Sequence, residues 1–322
     1  MQGFDPKFHD FPDYIIGITK EIWEDRGIHT LHEYYSDDIV VRSPASVVVG
    51  NADVIGATMA TLAEFPDRQL LGEDVIWSGT PEDGMLSSHR IISTATHTGD
   101  GVYGRATGKR LQYRILADCH ARANTIDDEW LIRDQGAIVR QLGWEPKEYA
   151  ADLITREGGP EACVKPLTPE TDLPGPYKGT GNDNAHGARL ADLLTRLMSA
   201  EMSAVGDTYD RACHLEYPGA VTAHGREAAD RFWMGLRASF PKAEFTIHHQ
   251  IGREDDMMPP RAAVRWSLWG RHAGWGAFGA PTGAMVYVLG VTHAEFGPWG
   301  LRREYTLFDE TAVWKQILLH DS

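Results

Sequence analysis

The sequence repeats itself at a fixed offset of 175 residues, so its two halves are expected to share one fold. The recurring residues are Tyr34 and Tyr209, Gly50 and Gly225, Phe65-Pro66 and Phe240-Pro241, Arg90 and Arg265, His97 and His272, Glu129 and Glu304, Asp134 and Asp309, and Gln141 and Gln316. The register runs through both halves without a gap. Solenoid and propeller repeats have periods of about 20–50 residues, so this longer period indicates two copies of a whole domain. Function is therefore expected among the ionisable residues that both copies keep.

Composition excludes several classes of function. The 322 residues suffice for two domains that each bury a core. The net charge of -15 argues against binding nucleic acid or anionic membranes, because phosphate contacts need clustered Lys and Arg. The three cysteines, Cys119, Cys163 and Cys213, form no CxxC pair and give no support to a zinc site or a disulfide framework. The first residues lack a basic segment followed by an apolar one, so we expect a cytoplasmic protein.

Two domains and a connecting segment account for the chain. We predict a first domain over residues 1–143, a Pro/Gly-rich linker over 144–185 and a second domain over 186–322. In each domain the periodicity predicts helices first and strands afterwards. The predicted helices of the first domain lie at 14–26, 29–35 and 51–65, and its strands at 68–78, 85–98, 110–123, 128–135 and 137–142. The second domain has predicted helices at 187–204 and 226–239 and strands at 243–251, 261–273, 284–296, 301–309 and 311–319. This order predicts an α+β fold in which a curved antiparallel sheet folds over its helices.

Short stretches of the first domain carry a resemblance to a known family. They are Thr96-His97-Thr98-Gly99, the stretch from Glu129 to Ala137, and the ending Arg140-Gln141-Leu142-Gly143. With these stretches and the helix closed by Phe65-Pro66, the domain resembles the SnoaL-like polyketide cyclases of the nuclear transport factor 2 superfamily. The second domain is more divergent. The resemblance implies two tandem cone-shaped domains of the α+β class.

One predicted strand pair brings an imidazole and a carboxyl group together. If residues 124–128 form the turn between antiparallel strands, His120 lies directly opposite Asp134 on a shared face. Trp130 and Ile132 share that face, and desolvation by such neighbours raises the pKa of a carboxyl group. Two interpretations stay open at this point: an acid–base couple, and an ion pair that only holds the sheet together.

The resemblance implies catalytic roles for this pair. Asp134 would transfer the proton next to a carbonyl group and His120 would help to stabilise the oxyanion, without a metal or a cofactor. The substrate pocket would include His97, Trp130, Ile132 and Asp118, although His97 could equally be a core or turn histidine. The equivalents in the second domain are Asp309, His293, Glu295, His272 and Tyr305. The changed arrangement of His293 and Glu295 leaves three outcomes open: a second working site, a different substrate, or a degenerate copy kept as a packing partner. Because the second copy ends at Gln316-Ile317-Leu318 without the Leu-Gly ending of the first, we expect the first copy to be the active one.

Two classes of function follow from the sequence. The first is a cofactor-independent enzyme that catalyses cyclisation, isomerisation or lyase chemistry beside a carbonyl group of a small apolar substrate. The alternative is a domain of the same superfamily that binds a small ligand or a protein without catalysis. We expect a deep pocket for the enzyme, and a cone filled by Trp or Phe for a binding or structural role. We also expect the two copies to pair as an internal pseudo-dimer, which leaves a homo-oligomer possible.

Overall fold

Each half of the chain forms one six-stranded sheet with its own helices. The computed structural model describes residues 1–320. The first half contains α1 (Phe11–Trp23), α2 (Leu31–Tyr34), β1 (Tyr35–Ser43), β2 (Ser46–Val49), α3 (Asn51–Glu64), β3 (Gln69–Thr80), β4 (Gly84–Thr96), β5 (Arg110–Arg122), β6 (Thr125–Arg133) and α4 (Gln135–Leu142). After α5 (Pro146–Arg156), the second half contains α6 (Ala185–Met198), α7 (Ala204–Thr208), β7 (Tyr209–Tyr217), β8 (Val221–His224), α8 (Arg226–Ser239), β9 (Glu244–Arg253), β10 (Arg261–Arg271), β11 (Met285–Gly297), β12 (Gly300–Phe308) and α9 (Glu310–His320).

The two sheets have the same topology. Their strand orders are β2-β1-β6-β5-β4-β3 and β8-β7-β12-β11-β10-β9. The α+β class and the tandem arrangement agree with the sequence prediction. The sheets are mixed rather than wholly antiparallel, because β1 pairs with β6, and β7 with β12, in parallel. A parallel pair needs a long crossover, and here the intervening helix and strands supply it.

Local sequence signals explain where the main helices begin. The carboxylate of Asp10 caps α1 by accepting from the backbone N–H of Asp13, and the buried face of α1 includes Tyr14 and Ile18. The helices α3 and α8 each follow a glycine at positive φ, Gly50 at 91° and Gly225 at 82°. Side chains rarely tolerate this backbone conformation, which accounts for the recurrence of that glycine in both copies.

The predicted strands at 137–142 and 311–319 are wrong, because these residues form the helices α4 and α9. Ile138 and Val139 favour a strand by propensity, but the carboxylate of Asp134 caps the first turn of α4 and Gly143, at φ 103°, ends the helix. The cap signals and the packing of the helix therefore outweigh the β-branched residues.

The hairpin between β5 and β6 turns earlier than predicted. Ala123 and Asn124 both have positive φ and form a two-residue turn, a geometry that matches the twist of the flanking strands. Ile115 consequently pairs with Arg133, and His120 pairs with Asp128. Glu129, rather than Trp130, lies on the face of β6 that looks towards the helices.

The repeat is offset by 174 rather than 175 residues across the first strand of each sheet. Tyr35 begins β1 and pairs with Ile126, whereas Tyr209 begins β7 and pairs with Leu301. The offset returns to 175 at the following turn, because two residues join β1 to β2 whereas three join β7 to β8. The structural counterpart of Tyr209 is therefore Tyr35, and the sequence alignment with Tyr34 is wrong by one position.

The outer faces of the two sheets pack against each other. One apolar contact unites residues of both sheets: Leu116, Ile132, Leu289, Val291 and Leu307. A second unites Ile76, Leu86, Ile251 and Ala263. The segment between the domains lies against both of them, since α5 packs on α9 and Tyr177 contacts both His120 and His249. No helix within residues 1–320 combines the length and apolar character needed to cross a membrane.

Candidate active site

Asp134 lies at the contact between the two domains. Its carboxylate accepts hydrogen bonds from the backbone N–H of Ala137 at 2.9 Å, of Gly219 at 2.9 and 3.0 Å and of Ala220 at 3.0 Å. Burial raises the pKa of this carboxyl group to about 6, although the three backbone donors act in the opposite direction. Asp134 thus caps α4 and holds the β7–β8 turn of the second domain against it.

His120 lies away from Asp134, near the end of β5. Its Nδ1 is 2.5 Å from Oδ1 of Asp127, and its ring centroid lies 4.6 Å from that of Tyr177. The predicted pairing of His120 with Asp134 is wrong, because the early hairpin turn shifts β6 and Asp134 belongs to a helix cap. The two side chains therefore do not form an acid–base couple.

The remaining residues predicted for the first pocket lie elsewhere. Trp130 and Asp118 both contact Arg265 of the second domain, whose guanidinium carbon is 3.6 Å from the Trp130 ring centroid and whose Nη1 is 2.7 Å from the Asp118 carboxylate. Ile132 belongs to the apolar contact between the sheets. His97 is fully buried between Glu64, at 3.2 Å, and Thr107, at 3.1 Å, and holds a loop against the end of α3.

The residues predicted as equivalents in the second domain also make contacts within or between the domains. His293 reaches across to Ser88 at 2.8 Å, and the guanidinium carbon of Arg90 lies 3.5 Å from the Tyr305 ring centroid. Three further residues make contacts within their own domain: Glu295 with Arg303, His272 with Thr282, and Asp309 with the first turn of α9. Asp309 also lines the cavity of the first domain, next to Pro44 and Ala45.

A cavity of about 260 Å³ lies inside the first domain, between its sheet and its helices. Its apolar wall is formed mainly by α1, α3 and the inner face of the sheet: Ile15, Ile18, Ile22, Leu31, Val41, Val54, Ile91, Ile115, Ala117 and Leu131. Its polar side chains include Tyr35, Arg68, His89, Glu129 and Arg133. An apolar cleft with a few convergent polar groups is the usual form of a small-molecule site.

Glu129 is the buried carboxyl group that the inner face of the sheet contributes to this cavity. Burial raises its pKa to about 7, while a hydrogen bond from Tyr35 and the positive charge of Arg133 act in the opposite direction. Burial also holds the pKa of Tyr35 well above its ordinary value, so its hydroxyl stays protonated and donates to the carboxylate. A carboxyl group with a pKa near neutrality can both accept and return a proton at physiological pH.

Two arginines and a histidine complete the polar lining. Arg68 is buried with its guanidinium 4.3 Å from the Trp23 ring centroid, and its Nε lies 3.4 Å from Oγ of Ser93. Within residues 1–320, Nη1 of Arg68 and Nε of Arg133 are buried without a hydrogen-bond partner. Burial lowers the pKa of His89 to about 4, so this imidazole is neutral at physiological pH.

Larger side chains fill the corresponding space in the second domain. Where the first copy has Ala57, Thr58, Ile91 and Arg133, the second has Phe232, Trp233, Trp266 and Phe308. These residues belong to or pack against one continuous apolar core. Glu304 replaces Glu129, and its carboxylate accepts from Tyr209 at 2.6 Å and Tyr217 at 3.2 Å. The buried Tyr–Glu pair is thus common to both domains, but in the second its surroundings are packed.

Sequence reasoning chose the wrong face of β6. It placed Trp130, Ile132 and Asp134 towards the helices, whereas Glu129, Leu131 and Arg133 line the cavity. The signal that could have identified Glu129 was present, because Glu129 and Glu304 recur in the repeat. Among residues 1–320, no three His, Cys, Asp or Glu side chains are grouped so that they could hold a metal ion.

Comparison with known proteins identifies related domains in both halves. Residues 14–142 match the model of the SnoaL-like polyketide cyclases, and residues 190–301 match that of a SnoaL-like domain. The proposed polyketide cyclase IdmH of Streptomyces antibioticus is 22% identical, with 41% of this chain and 98% of that chain covered and a TM-score of 0.36. A SnoaL-like polyketide cyclase of Agrobacterium tumefaciens is 17% identical, with 42% and 98% covered and a TM-score of 0.33. A proposed ketosteroid isomerase of Kribbella flavida is 15% identical, with 39% and 78% covered and a TM-score of 0.29. No curated protein matches the chain.

Proposed function

Because the chain belongs to the SnoaL-like family and carries one such domain in each half, we propose that its first domain is an acid–base enzyme. It acts on the carbon next to a carbonyl group of a small, mostly apolar molecule. Glu129 transfers the proton, and the reaction is a cyclisation, an isomerisation or a related lyase step. The second domain serves as the packing partner of the first.

The observation that carries this proposal is the buried Glu129 carboxyl group in the cavity of the first domain. Its pKa of about 7 makes it a stronger base than an exposed carboxylate, yet it is still ionised in a large fraction of molecules at neutral pH. The apolar walls supplied by α1 and α3 exclude water from the reacting carbon. The Tyr35 hydroxyl holds the carboxylate in one orientation.

The proposed proton transfer balances without a redox partner. The Glu129 carboxylate takes the proton from the carbon, the electron pair of that C–H bond forms a C=C bond to the carbonyl carbon, and the π pair of the C=O bond moves to the oxygen, which becomes an enolate oxyanion. Return of the proton to another carbon gives an isomer. Attack of the enolate carbon on a second carbonyl of the same molecule closes a ring, and the alkoxide formed at that second carbonyl takes the proton back from Glu129.

The size of the cavity restricts the substrate. Its volume of about 260 Å³ lies just below the range of roughly 300–1,000 Å³ that is common for small-molecule pockets. We therefore propose a small substrate rather than a large polycyclic one.

A generic carbon acid tests the proposal without knowledge of the natural substrate. Removal of the C–H proton of 5-nitrobenzisoxazole breaks its N–O bond and releases a coloured phenolate. We expect the full-length protein to catalyse this reaction with a rate that rises with pH and is half-maximal near pH 7, because the ionised Glu129 is the base. Glu129→Gln should lower the rate at least about 100-fold, which is the lower range of acid–base contributions.

The second domain provides a matched control for this experiment. Glu304→Gln makes the same chemical change at the equivalent position, inside a packed core, and should leave the rate unchanged. Equal rates for wild type and Glu129→Gln would contradict the proposal. Binding of the probe without turnover would favour the alternative, a domain that binds a small ligand without catalysis.

A further inference from the structure

A buried arginine and a half-buried one in the cavity have hydrogen-bonding capacity that the protein does not use. Nη1 of Arg68 and Nε of Arg133 have no acceptor within residues 1–320, and each lies in a side chain that lines the cavity. A buried donor left without a partner costs about 1–3 kcal/mol, and more if it is charged. Buried polar groups without partners are rare, and an unfilled ligand position is one physical reason for them.

The surroundings of Arg68 fix its guanidinium inside the cavity. Only 2% of the side chain is exposed, its plane lies over Trp23, and Ser93 and Tyr113 accept hydrogen bonds from it. Neither of these two partners carries a formal charge in its ordinary state. Arg68 is therefore a buried cation whose hydrogen-bond partners in the protein are neutral.

The carboxyl groups that line the cavity accept hydrogen bonds from groups other than Arg68 and Arg133. Glu129 accepts from Tyr35, and Asp309 accepts from Thr311 and Ala312 in its own helix. The positive charge of Arg133 lowers the pKa of both Arg68 and Glu129. A negative group from outside the protein could therefore complete the hydrogen bonding of the arginines.

The strand register separates the cationic end of the cavity from the acid–base end. Tyr113, which contacts Arg68, and Cys119, which pairs with Glu129, are both on β5. At about 3.3 Å per residue their backbones lie roughly 20 Å apart, a distance that the long arginine side chains partly span. A ligand that touches both ends is elongated, with its negative group remote from the reacting carbon.

We infer that the substrate of the first domain carries a carboxylate, which binds Arg68 and Arg133 while the carbon next to its carbonyl group faces Glu129. The inference rests on the proposed function, because it assigns one more feature to the same substrate. A planar guanidinium donates paired hydrogen bonds that match the geometry of a carboxylate. In the second domain, Ala243 and Phe308 stand at the positions of Arg68 and Arg133, so the carboxylate site belongs to the first domain alone.

A matched ligand pair tests this inference by binding alone. We would titrate the full-length protein with 8-oxo-8-phenyloctanoate, in which a chain of methylene groups separates the carboxylate from the carbon next to the ketone, and with the corresponding uncharged amide in a calorimeter. The carboxylate should bind at least 10-fold more tightly than the amide, with one site per chain. In Arg68→Met this preference should fall to nearly one. Arg105→Met removes one positive charge from an exposed residue of the same domain and should keep the preference.

The result can be separated from that of the proposed function. Equal affinity of wild type for acid and amide would overturn the inference, whatever the fate of 5-nitrobenzisoxazole. A tenfold preference that survives Arg68→Met in a folded variant would also overturn it. If Arg68→Met does not fold, Arg133→Met and the dependence of the wild-type preference on salt concentration decide the question, since an ion pair must weaken with salt. Loss of catalysis by Glu129→Gln with no carboxylate preference would leave the acid–base proposal standing alone.

Discussion

At the scale of single residues, burial is the largest influence on the pKa of the Glu129 carboxyl group. Tyr35 and Arg133 both favour its ionised form, yet its pKa is raised to about 7, so desolvation has the larger effect. Glu304 shows the same direction in the packed second domain, where Thr306 and two tyrosines donate to it. A Tyr–Glu pair buried in both copies therefore raises the cost of ionisation in each. Only the first copy places that carboxyl group beside a cavity.

This raised pKa predicts how stability changes with pH. In the unfolded chain the Glu129 carboxyl has a pKa of about 4.3, and in the folded protein its pKa is about 7. Between about pH 4.3 and about pH 7 the folded protein therefore binds more protons than the unfolded chain. The free energy of unfolding then falls as the pH rises, by about 2–3 kcal/mol for this group. Glu129→Gln, measured by urea denaturation, should gain that amount relative to wild type between pH 5 and pH 8. Glu227→Gln, at an exposed residue, should run parallel to wild type. A parallel curve for Glu129→Gln would contradict the assignment.

At the scale of secondary structure, the helices α4 and α9 join the domains. Asp134 caps α4 and also accepts from the backbone of Gly219 and Ala220 in the β7–β8 turn. Arg140, near the end of α4, pairs with Glu310 in the first turn of α9 at 2.5 Å. The residue for which the sequence predicted a catalytic role thus connects two elements of different domains.

Removing the Asp134 carboxylate should destabilise the contact between domains as well as α4. Asp134→Ala deletes the helix cap and removes the charged acceptor of the backbone N–H groups of Gly219 and Ala220 in the other domain. We expect a loss of about 2–4 kcal/mol in the free energy of unfolding, from the cap and from these hydrogen bonds to a charged group together. Asp10→Ala, which deletes a cap at the surface, should cost about 1 kcal/mol in the same urea titration. Equal losses for both variants would argue against the contact between domains.

At the scale of the whole molecule, the sheets meet through charged groups as well as apolar ones. The best buried example is Arg265, which pairs with Asp118 at 2.7 Å and lies over Trp130. Burial raises the pKa of Asp118 and lowers that of Arg265, so for each partner desolvation outweighs the attraction of the other. Such a pair specifies how the sheets fit together more than it stabilises them.

Because desolvation outweighs attraction in this ion pair, we expect the effects of substituting Arg265 and Asp118 on stability not to add. Arg265→Met leaves a buried carboxylate without its partner and should cost about 3–5 kcal/mol in the free energy of unfolding. The double variant Asp118→Leu with Arg265→Met removes both charges and should recover most of that loss. Urea denaturation followed by tryptophan fluorescence measures both. The single variant Asp118→Leu completes the comparison. If its loss and that of Arg265→Met simply add in the double variant, the two residues are not coupled in this way.

Sequence reasoning predicted the class of fold, the duplication and most of the central strands. The helix at 226–239 agrees with α8 residue for residue, since its apolar spacing and the preceding Gly225 are local signals. The site could not be found in the same way, because alternation along a strand shows which residues share a face but not which face meets the helices. The misplaced turn at Ala123-Asn124 put Asp134 opposite His120, and the choice of the wrong face directed Glu129 away from the cavity. The packed second cone also depends on contacts between distant residues, which no local pattern reports.

The turn between β7 and β8 has one residue more than its counterpart in the first domain, and the extra length has a consequence for ancestry. In a dimer of identical chains, an insertion at the twofold axis must occur on both sides at once. Joining the copies in a single chain removes that restriction. The second copy can then lengthen its β7–β8 turn, which contacts the start of α4 in the first copy. The first copy keeps the shorter β1–β2 turn beside its cavity. The two copies of a fused pair can thus diverge separately, one as a packed domain and the other as a domain that keeps a cavity.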